Sequence, residues 1–461
     1  MDGAMRIVNP ATNQTLKELD EDTPGSIADK VGRVRRAQRA WAASSFAERA
    51  ERIRRFRDIV AERREALAQA LTSEVGKPIS QSRNELIALG GRIDFFLEHA
   101  AREIEDEIVL GADAGGTEER IRHEPLGVVA NVSAWNYPFF VGANVFLPAL
   151  LTGNGVIYKP SEYATLTGLG IERALHDAGI PQDVFVSVLG GGSVGAALVE
   201  QKLDGVFFTG SHATGTRIAQ ALAHRMIRVQ LELGGKDPAY VCDDVDPAQA
   251  ALATADGAFY NTGQSCCAVE RIYVHERIWD PFIRALTDAV QGFVLGDPTD
   301  DKTYIGPLAR RELALATLED QVADALHRGA RLLTGGRRAE RAGFFFEPTV
   351  LVDVTHEMKL MRDESFGPVI GVMKVGSDAE AQQLMADTEY GLTAAVYSQS
   401  RARAEAILAE LDVGTAYWNC CDRVSPRLPW SGRGHSGIGC TLSTYGIEAF
   451  LKPKAYHLRA G

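Results

Sequence analysis

From about Ala47 to Glu103 apolar residues return at helical spacing. Ile53, Phe56, Val60, Leu67 and Leu71 fall on one face, with arginine and glutamate between them. This pattern predicts helices with one buried stripe and one solvated face. Near Pro125 the pattern changes. Short apolar, β-branched runs now alternate with helical ones: Gly127–Ser133, Gly155–Tyr158, Val184–Leu189, Gly205–Phe208 and Val229–Leu233. A helix over Thr165–Ala178 is closed by Gly179 and Pro181. Strand and helix alternating every 20 to 30 residues implies parallel βαβ units in an open sheet, which binds ligands at the carboxyl ends of its strands. A second α/β region runs from Gly235 to about Gly434. It has strands near Arg271–Val274 and Val369–Lys374 and helices near Asp280–Val290 and Ala379–Ala386. Residues 108–122 and the last twenty or so fit neither core.

Length and composition narrow the function. A chain of 461 residues is too long for one ordinary core. Its 45% hydrophobic and 24% charged residues are those of a globular enzyme. The net charge of −12 argues against nucleic acid and against an acidic membrane surface. No apolar run reaches the roughly 18 residues of a membrane span, and MDGAMRIVNP lacks the apolar core of a signal peptide. A cytoplasmic location is expected. Six cysteines, Cys242, Cys266, Cys267, Cys420, Cys421 and Cys440, form no CxxC pair, so neither a zinc site nor a dithiol motif is indicated. Reduced thiols are expected, and no metal.

Four segments carry candidate chemistry. In Phe259-Tyr-Asn-Thr-Gly263-Gln264-Ser-Cys266-Cys267, a cysteine after a Gly-Gln turn can be exposed at a strand–helix junction, where a thiolate is stabilised. A lone cysteine is otherwise a small core residue. In Gln230-Leu-Glu232-Leu-Gly-Gly-Lys236 a carboxylate interrupts an apolar strand. It is either paired with a lysine or kept for proton transfer, with burial raising its pKa towards the range of a general base. Trp135-Asn136-Tyr137-Pro138 follows a strand, and the Asn136 amide can donate to an oxyanion or satisfy a turn. Lys159-Pro-Ser161-Glu162 and Phe208-Thr-Gly210-Ser211, with Gly215 beyond, suit a dinucleotide. Backbone N–H groups at a helix start hold a pyrophosphate, and an acidic residue such as Glu162 accepts from a ribose 2′-hydroxyl, favouring NAD over NADP. Gly190-Gly-Gly192-Ser-Val-Gly195 also matches GxGxxG. Thr209 to Ser211 occupies the place of the acidic strand end expected about 20 residues on. The loop is therefore expected to pack near the cofactor without forming the main cradle.

In this order and spacing the motifs resemble the aldehyde dehydrogenase superfamily. The likeness runs from Val8-Asn-Pro-Ala-Thr12 to Ser436-Gly437-Ile-Gly439, with supporting matches at Glu364-Ser-Phe366-Gly-Pro368 and Pro429-Trp-Ser-Gly432. The resemblance implies two open α/β domains, one Rossmann-like and cofactor-binding and one catalytic, plus a small β oligomerisation arm. Residues 1–107 and 126–234 would bind NAD(P), 235–434 would form the catalytic domain, and 108–125 with 435–461 the arm. It implies Cys266 as nucleophile, Asn136 and the Cys266 N–H as oxyanion hole, and Glu232 as base for deacylation. It further implies Lys159 and Glu162 at the adenosine ribose and Ser211 at the pyrophosphate, with Ser161, Gly210 and Gly215 also in the cofactor site. Glu364 would hold the nicotinamide ribose. Phe366, Trp135 and Leu233 would lie around the cofactor. NAD is the expected cofactor, with NADP possible, and a homodimer or homotetramer the expected assembly. Tyr137, Val141, Asn144, Arg423 and Val424 would lie along the substrate tunnel. Arg423 and Arg427 could attract a carboxylate-bearing aldehyde. Two positions depart from the pattern. Many members carry a lysine where this chain has Val145 and an acidic residue where it has Thr441. Two other chemistries compete: a coenzyme A-acylating dehydrogenase, against which Glu232 argues, and a cysteine hydrolase without nicotinamide, which would need a histidine beside Cys266.

Overall fold

The structure, a computed structural model, describes residues 4–112 and 116–459. Of the expected segments, residues 1–3 at the start, 113–115 in the arm and 460–461 at its end lie outside the described residues.

The first helices begin where side chains replace missing backbone partners. Thr23 and Ser26 form a capping box at the start of Pro24–Ala43, and Ser45 and Glu48 do the same for Phe46–Glu62. Arg64–Val75 and Ile79–Glu103 complete the helical run. The apolar stripes of the last three, including Ile53, Phe56, Leu71 and Phe96, are buried in one cluster with the helix Pro138–Leu151, while Ile27, Val31 and Val34 of the first pack with Val128, Ala130 and Ile157.

Two open sheets follow. In the first, strands Phe185–Ser187, Gly155–Lys159, Val128–Val132, Gly205–Thr209 and Arg228–Glu232 lie side by side in that order and all parallel. They are apolar nearly throughout because helices cover both faces. The chain order reverses between Val128–Val132 and Gly205–Thr209, and that reversal opens a crevice at the strands' carboxyl ends. Gly437–Ile438 adds a short antiparallel edge by pairing with Glu232 and Leu231. The second sheet has seven strands. Six are parallel (Thr349–Val352, Val369–Val375, Val269–His275, Asp237–Val241, Thr393–Tyr397 and Thr415–Trp418), and Arg331–Thr334 is antiparallel at one edge. This is the expected α/β architecture with two open sheets.

The stretches that fit neither core form a third sheet. Leu451–Arg459 pairs antiparallel with Thr117–Pro125 over nine residues, and Glu107–Leu110 pairs on the other side. Among the described residues no helix is long and apolar enough to cross a membrane.

Candidate active site

The carboxyl ends of the first sheet's strands, together with two loops of the second α/β region, enclose a cavity of ≈ 660 Å³. Trp135, Asn136, Lys159, Ser161, Glu162, Gly210, Ser211, Leu233, Cys266, Glu364 and Phe366 all line it. Gly215 lies one layer back, under Leu233, whose side chain a Cβ there would overlap. Gly192 and Gly195 of the GxGxxG match reach the cavity edge. Tyr137, Arg423 and Val424 are not part of this cavity.

Cys266 follows the helix Pro247–Phe259 and a 3-10 turn, Tyr260–Gly263, and precedes the strand Val269–His275. The junction therefore runs from helix to strand, the reverse of the order read from the sequence. The turn is tightly wound. Asn261, Thr262 and Gly263 all have positive φ, and a Cβ on Gly263 would overlap the Gly367 carbonyl. Buried Gln264 fixes the turn by donating to Asn261 O and Pro307 O and accepting from Ala309 N–H.

The two adjacent thiols have different surroundings. Cys266 is half-buried on the cavity wall, whereas Cys267 is 3% exposed. Cys267 Sγ donates to Asp422 Oδ1 at 2.9 Å. Its contact with Cys266, together with burial, pushes its pKa well above the usual thiol range, which keeps it protonated. Asn136 Nδ2 donates to Gln264 O at 3.2 Å, which ties the amide to the thiol loop and leaves its second N–H unengaged. The Cys266 N–H has no protein acceptor among the described residues.

Glu232 ends the strand Arg228–Glu232 and is 5% exposed. Burial pushes its pKa up to about 7, only partly offset by Thr441 Oγ1 and Thr209 Oγ1, each donating at 3.3 Å, and by the Arg92 charge. The neighbouring Lys236 does not neutralise it. That ammonium pairs with Glu270 and Ser365 Oγ, so Glu232 is not half of an ion pair with Lys236. Val145 is buried in the core.

Glu270 is a functional side chain that sequence reading missed. Its carboxylate accepts from the Ser365 and Phe366 N–H groups and thereby pins the loop that carries Glu364 and Phe366. Phe366, at φ 48, packs edge-on to Trp135 with centroids 5.5 Å apart. Glu364 accepts from Gly235 N–H at 3.0 Å, and burial followed by the Glu270 charge pushes it up to about 7.

These residues fit a dinucleotide. The Lys159 ammonium is buried, touches only Pro160 O at 3.4 Å, and has no carboxylate within ion-pair distance. Gly195 lies against its stem, and Ser211 caps the helix His212–Leu222. A buried cation and a helix start on one wall suit the ribose and pyrophosphate of a dinucleotide. Arg423 is 68% exposed, 3.8 Å from Asp256, while Val424 packs half-buried against the cluster that includes Cys266.

Comparison with known proteins agrees with this geometry. The model of the aldehyde dehydrogenase family matches residues 1–456. Among curated relatives, a succinate-semialdehyde dehydrogenase [NADP(+)] of Deinococcus radiodurans is 34% identical, covering 97% of this chain and 93% of its own. A betaine aldehyde dehydrogenase of Cereibacter sphaeroides is 35% identical, covering 99% and 94%. Among solved structures, lactaldehyde dehydrogenase from Escherichia coli superposes with a TM-score of 0.95 at 33% identity, covering 100% and 96%. A 3,6-anhydro-L-galactose dehydrogenase in complex with NAP also gives 0.95 at 33% identity, covering 99% and 96%.

Proposed function

The chain belongs to the aldehyde dehydrogenase family and is an oxidoreductase acting on aldehydes with NAD or NADP, and we propose that it converts its aldehyde to a carboxylic acid through a thioester on Cys266. The observation that carries this reading is the meeting of Cys266 and Asn136 on the wall of the same cavity as the dinucleotide set, with buried Glu232 next in the chain to Leu233 on that wall.

The Cys266 thiolate adds to the carbonyl carbon, and the carbonyl oxygen becomes an alkoxide. The free N–H of Asn136 Nδ2 and the Cys266 N–H stabilise that charge, each contributing on the order of 3 kcal/mol. The cofactor, when bound, supplies a hydride acceptor, and cleavage of the carbon–hydrogen bond leaves a thioester on Cys266. Glu232 takes a proton from water, which attacks the thioester, expels the thiolate and releases the acid. A carboxyl with its pKa near 7 is suited to that step at neutral pH. Lys159, Ser161 and Glu162 hold the adenosine ribose, with Glu162 favouring NAD. Gly210 and Ser211 hold the pyrophosphate, Glu364 the nicotinamide ribose, and Phe366 and Trp135 the nicotinamide face. Residues 1–107 and 126–234 serve as the cofactor domain, 235–434 as the catalytic domain, and the antiparallel sheet as a pairing surface for a second copy.

The competing chemistries fit less well. Coenzyme A acylation has little use for a water-activating carboxyl. A cysteine hydrolase needs a histidine on the thiol, and among the described residues no histidine hydrogen-bonds Cys266. Reduced nicotinamide followed by absorbance, with aldehyde and no coenzyme A, tests the proposal. Sustained turnover abolished by Cys266→Ala is expected. A single burst that coenzyme A converts to turnover would overturn the hydrolytic step.

A further inference from the structure

Near the thiol loop one buried cation makes no direct ion pair among the described residues, although the Glu232 and Glu85 charges act on it from a distance. Arg92, on the helix Ile79–Glu103, is 4% exposed. Its Nη1 donates to Asn144 Oδ1 at 2.6 Å, and its guanidinium covers the Phe140 ring at 4.2 Å. Phe140 in turn stacks on Tyr137 with the rings 6° apart. The other fully buried cations nearby are all engaged. Lys77 pairs with Glu85 and Lys236 with Glu270, while Arg271 bonds backbone carbonyls. Among the described residues no carboxylate lies within ion-pair distance of Arg92, whose strongest acting charges are Glu232 and Glu85.

Its donors are also unused. Nε and Nη2 make no hydrogen bond among the described residues, yet neither belongs to the partnerless polar atoms sealed from solvent. Tyr137, Phe140, Cys266 and Val424 are all half-buried, and Phe140, Cys266 and Val424 pack against one apolar cluster. Burial lowers Arg92 to about 10, so it remains charged at neutral pH. An unpaired buried guanidinium is costly, and a planar anion that accepts two of its N–H groups removes that cost. Asp422 is taken up by Cys267 Sγ and Ser265 Oγ and offers less to a cationic aldehyde.

We propose that Arg92, with Asn144 orienting it, binds the carboxylate of an ω-oxo acid, so that the preferred substrates are semialdehydes whose aldehyde end reaches Cys266. This rests on the reading that Cys266 oxidises an aldehyde. The test is kcat/KM for 4-oxobutanoate, 5-oxopentanoate, hexanal and a quaternary-ammonium aldehyde with wild type, Arg92→Met and Arg92→Lys. The selectivity ratio of semialdehyde over hexanal is expected to fall about 100-fold in Arg92→Met, chiefly through KM, with Arg92→Lys intermediate. Because the ratio is taken within one protein, loss of folded enzyme cancels. An unchanged ratio, including an equal loss on every aldehyde, overturns the assignment while leaving aldehyde oxidation standing. Failure of the wild type on all four aldehydes would instead sink the proposed function, and this assignment with it.

Discussion

Thr441 Oγ1 donates to Glu232 Oε1 at 3.3 Å, from the segment just after the edge strand Gly437–Ile438, where it bridges Trp430. With Thr209 it is one of two hydroxyls on a carboxyl that has no ammonium partner. Deacylation should therefore rise with pH and level off above about 7, as Glu232 loses its proton. Thr441→Val removes a donor to the charged form, so the half-point should move up and the rate at pH 6.5 should fall. The pH dependence of thioester hydrolysis in single turnovers reads this directly, and an unmoved half-point would count against Thr441.

The same carboxyl costs stability. Its folded pKa of about 7 exceeds its ordinary 4.5, so the folded chain binds the proton more tightly than the unfolded one. Stability is fully present below about 4.5 and declines as pH rises through 7, by on the order of 3 kcal/mol. Glu232→Gln should thus raise the melting temperature at pH 8 and change it little at pH 5. Equal shifts at both values would mean that the carboxyl is not raised.

Gly234 leaves the space that Glu364 occupies, since a Cβ there would overlap its carboxylate. Gly234→Ala should displace Glu364 and raise KM for NAD about tenfold or more, equivalent to roughly 1.4 kcal/mol. Steady-state kinetics with NAD varied at saturating aldehyde checks this.

Much of the site is legible in the sequence because its residues sit at strand ends, where short local motifs mark them. Glu232 interrupts an apolar strand, and Cys266 follows a glycine that only a left-handed turn explains. What escapes is what distant segments supply. Glu270 lies within a strand and acts on a loop 95 residues away, and Arg92 lies in a helix whose charges read as a solvated surface. Arg423 stands next to Val424 in sequence, yet its side chain points to solvent. The helix Pro24–Ala43 buries only Ile27, Val31, Val34 and Trp41, too sparse a stripe to stand out among its arginines.

The outer strand Glu107–Leu110 exposes Ile108, Val109 and Leu110 at 57%, 62% and 40%. An unpaired apolar edge of this kind is a pairing surface. Val109→Lys should lower the assembled mass measured by light scattering. An unchanged mass would exclude this edge as the contact.

The thioester tests the account most directly. Glu232→Gln, mixed with NAD and a reactive aldehyde, should release one equivalent of reduced cofactor and then stall. Intact-mass and peptide spectra should show the acyl group on the Cys266 sulfur. An acyl group on Cys267, or undiminished turnover without Glu232, would contradict the assignment of nucleophile and base.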